Sequence, residues 1–126
     1  NRSANKNLKR LCRMVRAWKD NCNVQMGGLL IDTFAYRFLK DWEHKDKSFL
    51  YYDWMTRDFF KYLSEQDDTQ SYWTAVGSGQ YIYSKGKFTA KAKTAYDNAL
   101  IAIEKEDKGY SYTANCYWRA IYGTKF

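Results

Sequence analysis

Apolar residues recur at intervals of three and four near the N-terminus, and this periodicity constrains the fold more than any other feature of the chain. The residues of this series are Leu8, Leu11, Val15, Trp18 and Cys22. Side chains at this spacing lie on one face of an α-helix, so we predict a helix from about residue 6 to residue 20. A basic series follows the same rhythm on the opposite side and consists of Lys6, Lys9, Arg13 and Arg16. One face of this helix should therefore pack, and the other should carry positive charge.

A second helix is predicted from Gly28 to about Glu43, after a turn at Gly27 and Gly28. The segment GLLIDTFAYRFL leaves almost no polar side over three turns, which is typical of a helix surrounded by other helices. Glycine permits backbone conformations that other residues avoid, and the first amide groups of such a helix are free. Those amides can hold a phosphate, or the two glycines can simply form a tight turn between helices.

Three further helices are predicted over residues 49–66, 88–108 and 114–122. Aromatic residues give the first of them a broad apolar face, and alanines give the next one a face that another helix can approach closely. Ser48 is expected to cap the first of these helices, and Ser111 or Thr113 the last. The predicted fold is therefore all-α, with about five helices around the second helix as a buried centre.

Residues 67–87, DDTQSYWTAVGSGQYIYSKGK, lose the helical periodicity and are rich in Ser, Gly and Thr. They predict one long ordered loop, pinned by four rings. These rings are Tyr72, Trp73, Tyr81 and Tyr83. No Gly-Lys-Ser or Gly-Lys-Thr follows Gly79, so a Walker phosphate loop is not indicated. A loop of this length in a compact domain is often functional, and it serves equally well as a structural clasp.

Length and charge indicate one helical domain, 1–126, with an anionic partner. The chain has 21 Lys and Arg against 14 Asp and Glu, which gives a formal net charge of +7. A nucleotide, a nucleic acid or an acidic protein surface would fit this charge, although a merely soluble basic domain would carry it as well. The clustering of charge on the first helix favours binding.

Cysteine usage and hydropathy bear on the compartment. The three cysteines form no CxxC pair, so neither a disulfide framework nor a zinc site is indicated. No apolar run approaches the roughly 20 residues that a membrane span needs. We therefore expect a soluble, cytoplasmic protein without a membrane partner.

No acid, base, nucleophile or metal constellation occurs at a recognisable spacing, so we assign neither catalytic residues nor metal ligands. Asp32 stands among apolar neighbours, and a buried carboxylate needs a partner. We expect a structural ion pair between Asp32 and either Arg37 or Lys40.

Three segments carry a family resemblance: LKRLCRMVRAWK, GGLLIDTFAYRFL and AIEKEDKGYSYTANCYWRAIYGTKF. Together they resemble the C-terminal helical half of bacterial CD-NTases, the SMODS-type nucleotidyltransferases related to cyclic GMP-AMP synthase and oligoadenylate synthase. The resemblance covers nearly the whole chain and rests on a helical pattern with scattered identities. It implies a preceding catalytic half that holds the Gly-Ser motif, the aspartates and the magnesium, so no cofactor is expected in this chain. It also implies a whole protein that joins nucleoside triphosphates into a cyclic oligonucleotide signal of antiviral defence.

The same resemblance implies three site residues. Arg16 takes the place of a lysine that binds the donor triphosphate. Arg13, one turn earlier on the basic face, is the second choice for this contact. Gly28 and Leu29 fall where the family has a small polar residue followed by an aromatic residue that stacks on the base. This chain departs from the family there, because Gly28 offers a backbone amide and Leu29 an apolar contact. A ring in the loop 67–87 is then a second candidate for stacking.

Two alternative functions follow from the residues without the resemblance. The basic helix would suit a stand-alone module that binds nucleic acid. The many rings would suit a protein-interaction module with exposed aromatic residues.

Overall fold

A computed structural model describes residues 2–42, 52–66, 72–75, 78–83 and 88–123. Its five helices are α1 (Arg2–Cys22), α2 (Gly28–Asp41), α3 (Tyr52–Ser64), α4 (Thr89–Asp107) and α5 (Ser111–Tyr122). Two short strands, β1 (Tyr72–Thr74) and β2 (Tyr81–Tyr83), lie between α3 and α4. The all-α prediction is confirmed. Ser48, which we expected to cap the third helix, lies outside the described residues.

The apolar series of α1 faces the core as predicted. Leu11, Val15 and Trp18 are buried, and Leu8 and Cys22 are partly buried. The basic residues at the other side of the helix, Lys9, Arg13 and Arg16, are exposed, while the side chain of Lys6 is not described. One helix therefore provides both a packing face and a charged face.

The connection between α1 and α2 corrects the prediction for the two glycines. The residue with a left-handed backbone is Asn23, with φ of 58°, whereas neither Gly27 nor Gly28 has a positive φ. Lys91 of α4 donates hydrogen bonds of 2.9 Å to the carbonyls of Cys22 and Asn23. The turn is therefore built by Asn23 and Lys91, and it does not use the conformational freedom of glycine.

Helix α2 buries most of its surface. Its buried residues are Leu30, Ile31, Thr33, Phe34, Ala35, Phe38 and Leu39. Phe34 lies at the centre of the ring cluster, 5.4 Å from Trp73 and 5.5 Å from Phe88 between ring centroids. The remaining side of α2 carries Leu29 and Tyr36, which are exposed. The neighbouring elements therefore cover this helix on all sides but one.

Helix α4 packs against both α3 and α5, and small side chains make this possible. Its buried alanines are Ala92, Ala95, Ala99 and Ala102. They recur at three and four, and because alanine is short, two helix axes can approach α4 closely.

Helix α5 begins without the predicted cap. Ser111 and Thr113 both lie within the helix, and the N-cap is Tyr110, whose side chain makes no capping bond. Ile121 is buried and Trp118 is partly buried, as the periodicity indicates.

The segment predicted as one ordered loop contains a β-hairpin. Strands β1 and β2 pair antiparallel, with Trp73 opposite Ile82. Trp73 is buried between exposed neighbours, Tyr72 and Thr74, which is the alternation of a strand. The turn uses Gly79, with φ of 70°. The rest of the predicted loop, including residues 67–71 and 84–87, lies outside the described residues.

Candidate functional site

The basic face of α1 borders a surface groove of about 530 Å³. The groove is lined by Leu8, Lys9, Cys12, Arg13, Arg16 and Asp32. Five of these residues lie on α1, and Asp32 comes from the second turn of α2. The groove therefore runs along α1 and ends at the beginning of α2.

Arg16 reaches from α1 across to the first turn of α2. Its Nη2 atom lies 3.5 Å from the position that a Cβ atom on Gly28 would take. The fold thus brings together two of the residues that the resemblance indicates, Arg16 and Gly28. They are separated along the chain by a turn and meet because α1 and α2 pack against each other.

The first turn of α2 carries free backbone donors. The first hydrogen bond of the helix runs from the amide of Ile31 to the carbonyl of Gly27, over 3.1 Å. The amides of Gly28, Leu29 and Leu30 precede it, and Gly27 at the N-cap has no side chain that could accept from them. Free amides and the helix dipole together make such an end electropositive.

Neither glycine at this turn is needed by the fold. Gly27 has φ of −78° and ψ of 161°, an ordinary extended conformation. A Cβ atom on Gly27 would meet nothing within 4 Å, and one on Gly28 would touch the end of Arg16 alone. Neither backbone strain nor packing therefore requires glycine at these two positions. Glycine leaves the amides open to a ligand that approaches the backbone closely.

Asp32 pairs with Arg16, and the predicted pairing with Arg37 or Lys40 is wrong. Nη2 of Arg16 lies 2.8 Å from Oδ1 of Asp32, and both side chains are about half exposed. Arg37 instead donates to the backbone carbonyl of Thr74 in β1. The prediction considered partners on the same helix, whereas the side of α2 that carries Asp32 faces α1.

Cys12 lies beneath the ion pair. Burial raises the pKa of its thiol, and so do the hydrogen bond to Asp32 and the negative charge of that carboxylate, to about 12. Cys12 therefore remains a thiol at neutral pH, and a thiol is a poor nucleophile.

Lys9 and Arg13 continue the positive charge along the groove. Both are exposed, and neither has an acidic partner among the residues that the structure describes. The charge of Arg16 is balanced by Asp32, so Lys9 and Arg13 provide the net attraction for an anion.

Leu29 does not line the groove, although it follows Gly28 directly. It is exposed on the open side of α2, together with Tyr36 two turns later. Sequence reasoning missed Tyr36, an exposed ring at 45% accessibility on this side. The spacing of seven residues from Leu29 was the available signal.

Among the described residues, no group of three or more His, Cys, Asp or Glu side chains is placed to hold a metal ion. No helix in the same part of the chain has the length and apolar character to cross a membrane. No family model, curated protein or solved structure matches this chain.

Proposed function

We propose that this chain is the nucleotide-binding helical half of a nucleotidyltransferase that makes cyclic oligonucleotides in bacterial antiviral defence. The catalytic half and the defence role come from the resemblance. The observation that carries the proposal is the position of the Arg16 guanidinium over a helix that begins with glycine. In this role, Arg16 and the first turn of α2 hold the donor triphosphate.

Three groups at the groove favour a phosphate chain. The free amides of α2 offer hydrogen bonds directed outward from the helix end. Arg16 offers a planar fork of donors, which suits two phosphate oxygens at once. Arg13 and Lys9 extend the positive charge along α1 by about 10 Å from Arg16, at 1.5 Å per residue.

The chemistry of nucleotidyl transfer would lie in the other half. A phosphoryl group in transfer needs magnesium held by carboxylates and a positioned nucleophile. The part of this domain that the structure describes supports binding and orientation of the phosphates. The activity of the whole protein therefore depends on the catalytic half that the resemblance implies.

Nucleic-acid binding is the second candidate function, and the unpaired Lys9 and Arg13 favour it. Charges spaced along a helix can contact successive backbone phosphates, and such binding weakens steeply as salt rises. A triphosphate site would instead concentrate its affinity at Arg16 and Gly28.

Titration of this chain with ATP, followed by amide chemical shifts in NMR, tests the first function. Saturable shifts should occur at Gly28 and Arg16. Arg16→Ala should weaken binding by about tenfold or more, since a hydrogen bond to a charged group contributes about 1.5 to 3 kcal/mol. The control is Lys93→Ala on α4, where Lys93 pairs with Asp97 far along the chain from the groove, and it should bind ATP as the wild type does.

Gly28→Ala provides a sharper test, because it should change ATP affinity without changing the stability of the fold. The added methyl group would meet Arg16 at an ordinary contact distance of 3.5 Å and without backbone strain, so the melting temperature should not fall. The methyl group should nevertheless keep phosphate from the amides and weaken ATP binding by several-fold.

Equal ATP affinity for wild type, Arg16→Ala and Gly28→Ala would contradict the proposal. The nucleic-acid function predicts a different result with a single-stranded oligonucleotide. Lys9→Ala, Arg13→Ala and Arg16→Ala should then each weaken binding by a similar modest factor, and the affinity should fall steeply between low and high salt.

A further inference from the structure

Resting on the proposed function, we propose that Asp32 is a positioning residue that holds the Arg16 guanidinium against the first turn of α2. The Nη2 atom of the guanidinium binds Asp32, and the other N–H groups remain available to an anion at Gly28. The affinity of the groove for phosphate then depends on an acidic residue, which is the opposite of what its charge alone predicts.

The positions of the two helices support this role. Gly28 and Asp32 are four residues apart on α2, so they lie one above the other at about 6 Å along the helix. Arg16 touches both positions: its Nη2 atom is 2.8 Å from Asp32 Oδ1 and 3.5 Å from a Cβ position on Gly28. The Nη2 atom therefore lies between Gly28 and Asp32, beside the first turn of α2.

Asp32 is itself held in place from α1. Cys12 and Arg16 are four residues apart on the same face of α1, and both line the groove beside Asp32, whose carboxylate accepts the hydrogen bond of Arg16. A carboxylate has room for further donors beyond this one. The arginine has five N–H donors, and the bond to Asp32 occupies one of its nitrogens, so the guanidinium can bind phosphate without releasing Asp32.

The pair contributes little to the stability of the fold. Its side chains are 47% and 48% exposed, and exposed ion pairs are weakened by water and salt. Its effect should lie in binding, because an arginine side chain has many rotamers to lose when it contacts a ligand. A guanidinium that is already fixed loses fewer of them, and affinity rises accordingly.

Two other roles for Asp32 give different results on substitution. If the carboxylate competed with phosphate for Arg16, its removal would strengthen anion binding. If Arg16 served merely to neutralise Asp32, removal of both residues would restore the wild-type affinity. Positioning predicts that removal of Asp32 weakens binding and that the double variant is as weak as Arg16→Ala.

The experiment measures the affinity of this chain for ATP and for tripolyphosphate at one fixed salt concentration. The variants are Asp32→Ala, Asp32→Asn, Arg16→Ala and the double variant Arg16→Ala/Asp32→Ala. Asp97→Ala is the matched control, since Asp97 forms an exposed ion pair of the same length, 2.8 Å, with Lys93 on α4. All variants should melt close to the wild type.

Asp32→Ala should weaken binding of both probes by about three- to tenfold, because the arginine must then be ordered by the ligand. Asp32→Asn should recover most of that loss, since its carbonyl still accepts from Arg16. Asp97→Ala should have no effect. Affinity of Asp32→Ala equal to or above that of the wild type would overturn the positioning role.

A second measurement tests, in the absence of ligand, whether Asp32 orders the Arg16 side chain. The ¹H–¹⁵N heteronuclear NOE of the Arg16 Nε group should show an ordered side chain in the wild type and a mobile one in Asp32→Ala. If the wild type binds neither probe, the proposed function fails. If the wild type binds, and Arg16 is equally mobile with and without Asp32, the positioning role fails while the proposed function stands.

Discussion

The side chain of Asn21, on α1, caps the C-terminus of α5. Its Nδ2 atom lies 3.1 Å from the carbonyl oxygen of Ala120 and 3.2 Å from that of Ile121. The last carbonyls of a helix have no partner within it, so a donor from elsewhere is needed when the end is partly buried. Lys91 of α4 serves the end of α1 in the same way. Two helix ends are thus closed by side chains from other helices.

Asn21→Ala should destabilise the domain by about 1 kcal/mol, because it removes the amide donor and leaves the carbonyls of Ala120 and Ile121 with only the weak thiol donor of Cys22, at 3.6 Å. The melting temperature should fall by about 4 °C, a typical shift for a domain of this size. Asn115→Ala is a matched control, since Asn115 lies on the exposed side of α5. Circular dichroism melts of both variants give the comparison, and equal melting temperatures would contradict the capping role.

Gly123 ends α5 in a conformation that only glycine adopts easily, with φ of 76° and ψ of −167°. A Cβ atom there would also lie 2.8 Å from Oδ1 of Asn21, which is too close. Gly123→Ala should therefore lower the free energy of unfolding by about 2 to 4 kcal/mol, from strain and steric conflict together. Urea denaturation measures this change.

The variant Gly109→Ala separates backbone strain from steric conflict. Its φ is 83°, but a Cβ atom would meet nothing within 4 Å, so Gly109→Ala should cost backbone strain alone. Gly123→Ala should cost clearly more than Gly109→Ala. In an Asn21→Ala background, the excess should become smaller because the conflicting oxygen is gone. An excess of unchanged size would show that Asn21 is not its source.

The helices of this fold could be predicted because each one has a periodic face. Trp18 of α1 and Ala95 of α4 belong to series that repeat at three and four, and both are buried. The hairpin was missed because its strands have three residues each, which is too short for alternation to stand out. The burial of Trp73 between two exposed residues becomes evident only in the folded structure, in which one face of the strand is covered.

The candidate site was predicted in part. The basic face and Arg16 followed from spacing and resemblance, but the partner of Asp32 did not. Sequence spacing indicates neighbours within one helix, whereas Arg16 and Asp32 meet across two helices. Gly27 and Gly28 were expected to provide an unusual backbone conformation, and this was wrong. The left-handed residue of the turn is Asn23, and neither glycine has a positive φ.

The carboxyl group of Asp53, in the first turn of α3, should make stability depend on pH. Partial burial raises its pKa, and so do the charge of Glu106 and the hydrogen bond to it, to about 6. Glu106 in turn accepts a hydrogen bond of 3.2 Å from Nε1 of Trp118. Protonated Asp53 therefore links α3 to α4 through Glu106, whereas ionised Asp53 repels Glu106.

The direction in which stability changes with pH follows from the number of protons bound in the folded and unfolded states. The pKa of Asp53 is higher in the folded protein than the value of about 3.9 for an unfolded chain, so the folded state binds more protons between about pH 4 and pH 6. The contribution of Asp53 to stability is present below pH 4 and is lost as the pH rises through 6. Solvent screening around a half-buried carboxyl reduces this loss to about 1 to 2 kcal/mol.

Asp53→Asn keeps a hydrogen-bond donor for Glu106 and removes the titration. Relative to the wild type, its free energy of unfolding in urea should increase steadily from pH 4 to pH 7 and level off above. Glu106→Gln should reduce the same trend without abolishing it, because Asp53 then has no negative neighbour there while its burial still raises the pKa. If the difference between Asp53→Asn and wild type stays constant over this pH range, the two carboxyl groups do not share a proton, and the link between α3 and α4 must have another basis.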